Sequence, residues 1–141
     1  MMKNRTIFIV PVLLCILFIS GCGSDNHGLS GKVTFSDDGS PVPNGAIYFT
    51  DGTHLSQGSI TDGTYVVGTK GKADGLPPGT YKVYFGGVNK RESYVDTGSG
   101  THMTKTTHLI ASKYASADTS GLTFTVDGKT KTFDVQLDRA K

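Results

Sequence analysis

Tryptophan is absent from the 141 residues, and the two cysteines, Cys15 and Cys22, both fall in the first 22 positions. Everything after Cys22 is therefore without a thiol, which excludes a disulfide scaffold and leaves the hydrophobic core to hold the fold. A surplus of one charge is also missing. The chain has 14 Lys+Arg against 12 Asp+Glu, but Lys3 and Arg5 account for the difference. Without the first few residues the charges balance, so the sequence pI of about 8.5 overstates the basicity. No basic stripe is left to track a phosphate backbone, and nucleic acid is excluded as an expected partner. Long hydrophobic runs are confined to residues 7–19, IFIVPVLLCILFI. After Cys22 no apolar stripe of helical period appears. At this length one domain is expected.

What is present begins with that N-terminal run. Residues 1–6 carry two cations and no anion, and the apolar stretch that follows has the length of a signal-peptide core, short of the roughly 20 residues a spanning helix needs. Ile19-Ser20-Gly21-Cys22 then resembles the bacterial lipobox: an aliphatic residue, two small residues and a cysteine. Small side chains at Ser20 and Gly21 let the backbone lie extended in a peptidase cleft, with Ile19 as the third recognition position. The Cys22 thiol is the nucleophile that takes a diacylglycerol as a thioether. The resemblance implies a signal peptide over 1–21 and a lipidated cysteine with a polar tether over 22–28. It also implies anchorage to the extracytoplasmic cell envelope by two or more acyl chains, palmitate among them. Gly23 rather than Asp follows the cysteine, which by the same resemblance favours the outer membrane in a Gram-negative host.

From Leu29 onward the sequence alternates short strands with turn signals, and 19 glycines with clusters of Asp, Ser and Thr supply the punctuation. Strands are expected at 29–35, 46–50, 54–60, 65–69, 80–85 and 107–110. Leu122 to Leu137 is expected to be a hairpin turning at Asp127-Gly128. Residues 37–45 carry two prolines and form a turn, 61–64 a hairpin turn, and 70–79 a loop ending in Pro-Pro-Gly. Residues 86–106 have weak periodicity, and a loop of that length is unusual in a compact domain, so the segment is expected to be functional, partly disordered or to hide an edge strand. Gly79-Thr80-Tyr81 and Gly63-Thr64-Tyr65 both have the G-x-Y form of a tyrosine corner, in which the phenol bonds back to upstream backbone.

Gly31-Lys32-Val33-Thr34-Phe35 with Asp38 to Ala46, DGSPVPNGA, resembles the opening of carboxypeptidase regulatory-like domains. Asp62-Gly63-Thr64-Tyr65 and Leu76-Pro77-Pro78-Gly79-Thr80-Tyr81-Lys82-Val83 are similar to later strands of that module. Lys113-Tyr114 through Thr119-Ser120-Gly121-Leu122-Thr123 resembles small lipoproteins of planctomycete-type bacteria that carry it. The resemblance spans about residues 29–137. It implies an all-β fold over 29–141: a seven- to eight-stranded antiparallel Greek-key β-sandwich of the transthyretin (prealbumin) kind. It supplies no catalytic residues.

Searching the remaining residues for chemistry returns little. HMTKTTH offers His102, Met103 and His108 as copper ligands, but at a spacing that matches no metal motif. The related hydroxyisourate hydrolases end in Tyr-Arg-Gly-Ser, whereas this chain ends Leu137-Asp138-Arg139-Ala140-Lys141. No Gly-x-Ser-x-Gly elbow is present, 68–72 lacks phosphate-loop spacing, and most Asp residues belong to Asp-Gly turns. The expectation is a protein without catalytic residues, metal or cofactor. Its β-domain serves as a structural or protein-interaction unit of the envelope, with Lys90, Arg91 and Tyr94 on the 86–106 segment as contact residues. The alternative is a carbohydrate or peptide binder, for which a surface carrying Tyr48, Tyr84 or Tyr94 is the marker.

Overall fold

The computed structural model describes residues 26–68 and 75–141. The expected signal peptide, the lipobox with Cys22, residues 23–25, and the loop positions 69–74 lie outside the described residues.

Strands account for most of the described chain, and one 3-10 turn, Ser112–Ala115, is its only helical element. The strands are β1 (Leu29–Phe35), β2 (Asn44–Thr50), β3 (Leu55–Thr61), β4 (Thr64–Gly68), β5 (Gly79–Gly86), β6 (Asn89–Val95), β7 (His102–His108), β8 (Leu122–Val126) and β9 (Val135–Leu137). Seven form one sheet in the order β8-β5-β2-β3-β4-β1-β9, and β6 pairs only with β7. The fold is all-β, as the alternation predicts.

Period-2 burial explains the large sheet. Val33 and Phe35 on β1, Ile47 and Phe49 on β2, Tyr65 and Val67 on β4, and Tyr81, Val83 and Phe85 on β5 all face inward and are buried. The turn at 61–64 forms as its Asp-Gly pair predicts: Asp62 (φ 47) and Gly63 (φ 75) both take positive φ, the condition for a type I′ turn.

The sheet is curled rather than flat. In a flat seven-stranded sheet the edge strands stand roughly 29 Å apart. Here Phe124 on edge strand β8 and Phe133, two residues before the other edge strand β9, have ring centroids 4.7 Å apart. The curl encloses one core, with Phe49 packing edge-on against both rings.

Three expectations are corrected. Residues 122–137 do not form a hairpin. β8 pairs with β5 and β9 pairs with β1 in parallel, so the sheet is mixed instead of antiparallel. The Asp127-Gly128 turn is present, but its carboxylate accepts from Lys129 and Thr130 backbone N–H groups, which redirects the chain across the seam. Residues 86–106 form neither an open loop nor a single hidden edge strand but a hairpin: β6 and β7 pair over seven residues each. Their charges and threonines hide the apolar alternation because neither face is buried. His27, in the expected tether, exchanges backbone hydrogen bonds with Leu76 (2.8 and 2.7 Å), an isolated bridge two residues before β1.

The two candidate tyrosine corners separate. The Tyr81 hydroxyl donates to the Pro77 carbonyl, four residues upstream, at 2.9 Å. Tyr65 instead donates across the fold to Phe133 O at 2.6 Å, and burial holds its phenol protonated far beyond its ordinary range. Beside it, a Cβ added to Gly31 would lie 2.0 Å from Phe133 O. Two contacts therefore fasten the β8–β9 link to β1 and β4. Tyr65→Phe is expected to cost about 1–3 kcal/mol by leaving that carbonyl short of a donor. Gly31→Ala should match or exceed it, since backbone has to move. Chemical denaturation of the two variants checks both values.

Candidate functional site

Strand register gives the molecule two poles. Leu29 lies opposite Val67, Thr50 opposite Leu55 and Lys82, and Gly79 opposite Val126, so these residues share one pole with the point where the chain enters the sheet. Lys32 opposite Thr64, Ala46 opposite Gly86 and Phe35 beside Leu137 define the other. The exposed hairpin and the cleft both lie at this second pole.

The first feature there is the β6–β7 hairpin, which leaves β5 through Gly86-Gly87-Val88 and returns at Leu109. Every residue of β7 is exposed, and on β6 only Asn89 is partly covered. One face carries Lys90, Glu92 and Tyr94 with Met103, Lys105 and Thr107. The other carries Arg91, Ser93 and Val95 with His102, Thr104, Thr106 and His108, by strict alternation along the paired strands. Tyr94, Val95 and Met103 are large apolar side chains about half exposed near its tip. Lys90 pairs with Glu92 at 2.7 Å, which lowers the Glu92 pKa and raises that of Lys90. The three contact residues expected from the sequence thus sit on an arm, with Lys90 and Tyr94 on one face and Arg91 on the other. His102 and His108 are six residues apart on β7, about 20 Å along a strand, and Met103 faces away from both. The structure does not bring these ligands together.

At the root of the arm an open cleft of about 1190 Å³ lies between Gly86–Val88, His108–Lys113 and the C-terminal residues 138–141. Its floor is apolar, from buried Phe85, Val88 and Ile110. Its rim is charged and internally neutralised. Asp138 accepts from Lys113 at 2.6 Å, Ser36 at 2.8 Å and the Tyr114 hydroxyl at 3.1 Å. These donors, Lys113 foremost, hold its pKa at about 2. Arg139 donates to Asp37, Asp38 and Ser40 while its guanidinium stacks 3.7 Å from the centre of the Phe35 ring. Ser36 spends its proton on a carboxylate, and the shift on Lys113 is upward. Each resolved shift in this network moves its group away from neutral pH. The arrangement braces this pole and presents a polar rim around the apolar floor. Sequence reasoning missed these residues because their partners are distant in the chain, about 25 positions for Lys113 and Tyr114 with Asp138 and about 100 for residues 36–40 with 138–139; no local pattern signals that.

A further feature is the outer face of the sheet, where Tyr48 and Tyr84, opposite each other on β2 and β5, stack at 4.8 Å and 14°. Exposed Leu55 and Val66 lie on the same face. Tyr94 is on the arm and does not join them. Among the described residues no group of three His, Cys, Asp or Glu side chains is placed to hold a metal ion. Comparison with protein-family models, with curated proteins and with solved structures returned no match.

The acid side of the stability profile follows from the carboxylates. Asp38, Asp51 and Asp138 are each held at about 2 against an ordinary 3.8: Asp38 chiefly by Ser40, Asp51 by the His54 backbone and ring, and Asp138 by Lys113. A lowered folded-state pKa stabilises above the unfolded value and loses that contribution as pH falls towards the folded one. Stability to urea is therefore expected to drop between about pH 4 and pH 2, and more shallowly in Asp138→Asn. Urea midpoints across that range check it.

Proposed function

We propose that this chain is a lipid-anchored envelope protein whose non-catalytic β-domain is a protein-interaction module. Anchorage rests on the basic N-terminus, the 13-residue apolar run and Ile19-Ser20-Gly21-Cys22. Interaction rests on one observation: an arm with nearly every side chain exposed rises at the pole opposite the end where the chain enters the sheet. Residues 22–26 would tether the entry pole to the bilayer, at a reach of under about 18 Å. The arm and its cleft would then face away from that membrane, towards other envelope components. In finer detail we read the curled sheet as a Greek-key sandwich of the transthyretin-like, carboxypeptidase regulatory-like kind. The Tyr81–Pro77 corner and the Asp-Gly turn at 62–63 support that reading.

Cys22→Ser, expressed in the native host, should lose palmitate label and retain the signal peptide. Unchanged labelling and processing would refute the anchor.

A second reading has its own observation. The stacked Tyr48–Tyr84 pair, with few charges around it, supports contact with a neutral polysaccharide face. Tyr48→Ala and Tyr84→Ala should each reduce retention on a cell-wall polysaccharide column several-fold. Equal retention of the variants and the parent rules this reading out.

A further inference from the structure

The geometry points to the outer edge of β7 as a strand-addition site for an extended acidic peptide segment. This rests on the arm being a contact surface, and supplies the chemistry of its partner.

The hydrogen bonds at the two ends of the arm fix which edge groups are free. Leu109 N–H donates to Val88 O at 3.1 Å, and Asp96 N–H donates to Thr101 O at 2.9 Å. In an antiparallel ladder hydrogen-bonded pairs alternate with non-bonded ones. With Asn89 opposite His108, the bonded pairs are therefore Lys90–Thr107, Glu92–Lys105 and Tyr94–Met103. The backbone N–H and C=O groups of His102, Thr104, Thr106 and His108 point to the other side. No other strand lies there among the described residues.

An unpaired edge is a template for another chain, and proteins blunt such edges with prolines, bulges or charge. β6 is blunted in this way, by Lys90, Arg91 and Glu92 in succession. β7, HMTKTTH, has no proline and no acidic residue. It is rich in threonine, which favours extended backbone, and its one full charge is Lys105. The two strands together hold Lys90, Arg91 and Lys105 against Glu92. Main-chain bonds would supply affinity, and a carboxylate near Lys105 with an apolar residue against Met103 and Tyr94 would supply selectivity. Charge also argues against a second copy of this chain. Full antiparallel overlap of two β7 strands sets Lys105 opposite Lys105, and like charges directly opposite are destabilising.

The test uses the protein as its host makes it, acylated or not, in detergent micelles, a seven-residue peptide alternating Glu with Val and Thr, and the same peptide with Lys for Glu. Amide hydrogen exchange read by NMR should show Thr104 and Thr106 gaining at least tenfold protection with the acidic peptide and none with the basic one. Thr106→Pro removes one outward N–H without touching the β6–β7 ladder, as an edge strand tolerates. It should abolish the peptide effect while the Lys105 and Thr107 amides, which point inward, stay protected and so report an intact arm. Lys105→Glu should reverse the peptide preference.

Three results would overturn the proposal. One is no protection of Thr104 and Thr106 by the acidic peptide. Another is equal binding by an arm-intact Thr106→Pro variant. The third is protection that rises with protein concentration alone, which would give the edge to a second copy. Because the titration is independent of membrane sorting, a negative result removes the edge site and leaves the anchor standing. Failure of acylation at Cys22 removes the anchor and leaves the edge site.

Discussion

The parallel pairing of β9 with β1 is the constraint on which the rest of the structure depends. β8 and β9 are separated by eight residues, yet lie at opposite edges of a seven-stranded sheet. That is satisfied only if the sheet rolls until its edges approach. The seam is then closed by apolar and polar contacts together: Phe124 against Phe133, Phe133 N–H on Ser30 O at 3.0 Å, and the Tyr65 hydroxyl on Phe133 O. Rolling converts a one-sided apolar face into an enclosed core, which a chain with no tryptophan and no usable disulfide needs. The same pairing carries the C-terminal residues to the far pole. There Asp138 and Arg139 meet Ser36, Asp37, Asp38 and Ser40.

The two poles differ in kind. At the entry pole the connections are tight: His27 is bonded to Leu76, and Asp51 caps its own turn through Thr53 and His54. At the far pole the chain spends a whole hairpin and a mixed-polarity cleft that the core does not require. Most loops on a rigid sheet scaffold vary without consequence, and those that carry function sit where the scaffold holds them in fixed relation. Here Gly86–Val88 and His108–Ile110 serve both as the root of the arm and as the wall of the cleft. A molecule held in the cleft and a chain laid along the arm would therefore share supporting residues.

Much of this fold was legible in the sequence, and the parts that were not share a cause. Apolar residues alternating over 29–35 and 80–85 located β1 and β5, because one face of each strand is buried and the period is visible. The Asp-Gly turn at 62–63 and the Tyr81 corner were legible for the same local reason. The arm was legible only as one alternative, an edge strand hidden in 86–106, because Lys90, Glu92 and Lys105 on one face and Arg91, Thr104 and Thr106 on the other face water equally. A strand exposed on both sides leaves no hydrophobic period. β9 was misassigned because Asp127-Gly128 is a sound turn signal that says nothing of which strand the chain meets next. The cleft was invisible since its charges pair between residues 36–40 and 138–139, whose proximity is a product of topology alone. Lys90, Arg91 and Tyr94 were singled out in the right segment, and their division between two faces follows only from the pairing register.

An isolated two-stranded ribbon is marginal in water, and three strands with a protected face are near the threshold for independent stability. The arm meets the first condition and lacks the second. Its register is held by the Asp96–Thr101 and Val88–Leu109 bonds and by the turn at Asp96, where Gly98 N–H and the Ser99 hydroxyl donate to the carboxylate. Its exposed Lys90–Glu92 pair adds little, as ion pairs in water do. The arm is thus ordered at its ends and weakly supported along its shaft. A third strand would add backbone bonds along that shaft and cover part of Tyr94 or Val95, Met103 and the threonines. The conformational freedom that a flexible loop would have to lose on binding is already largely lost here, so a partner strand meets a formed template and not a coil. That preorganisation, more than the modest apolar area at the tip, is what equips the arm for contact.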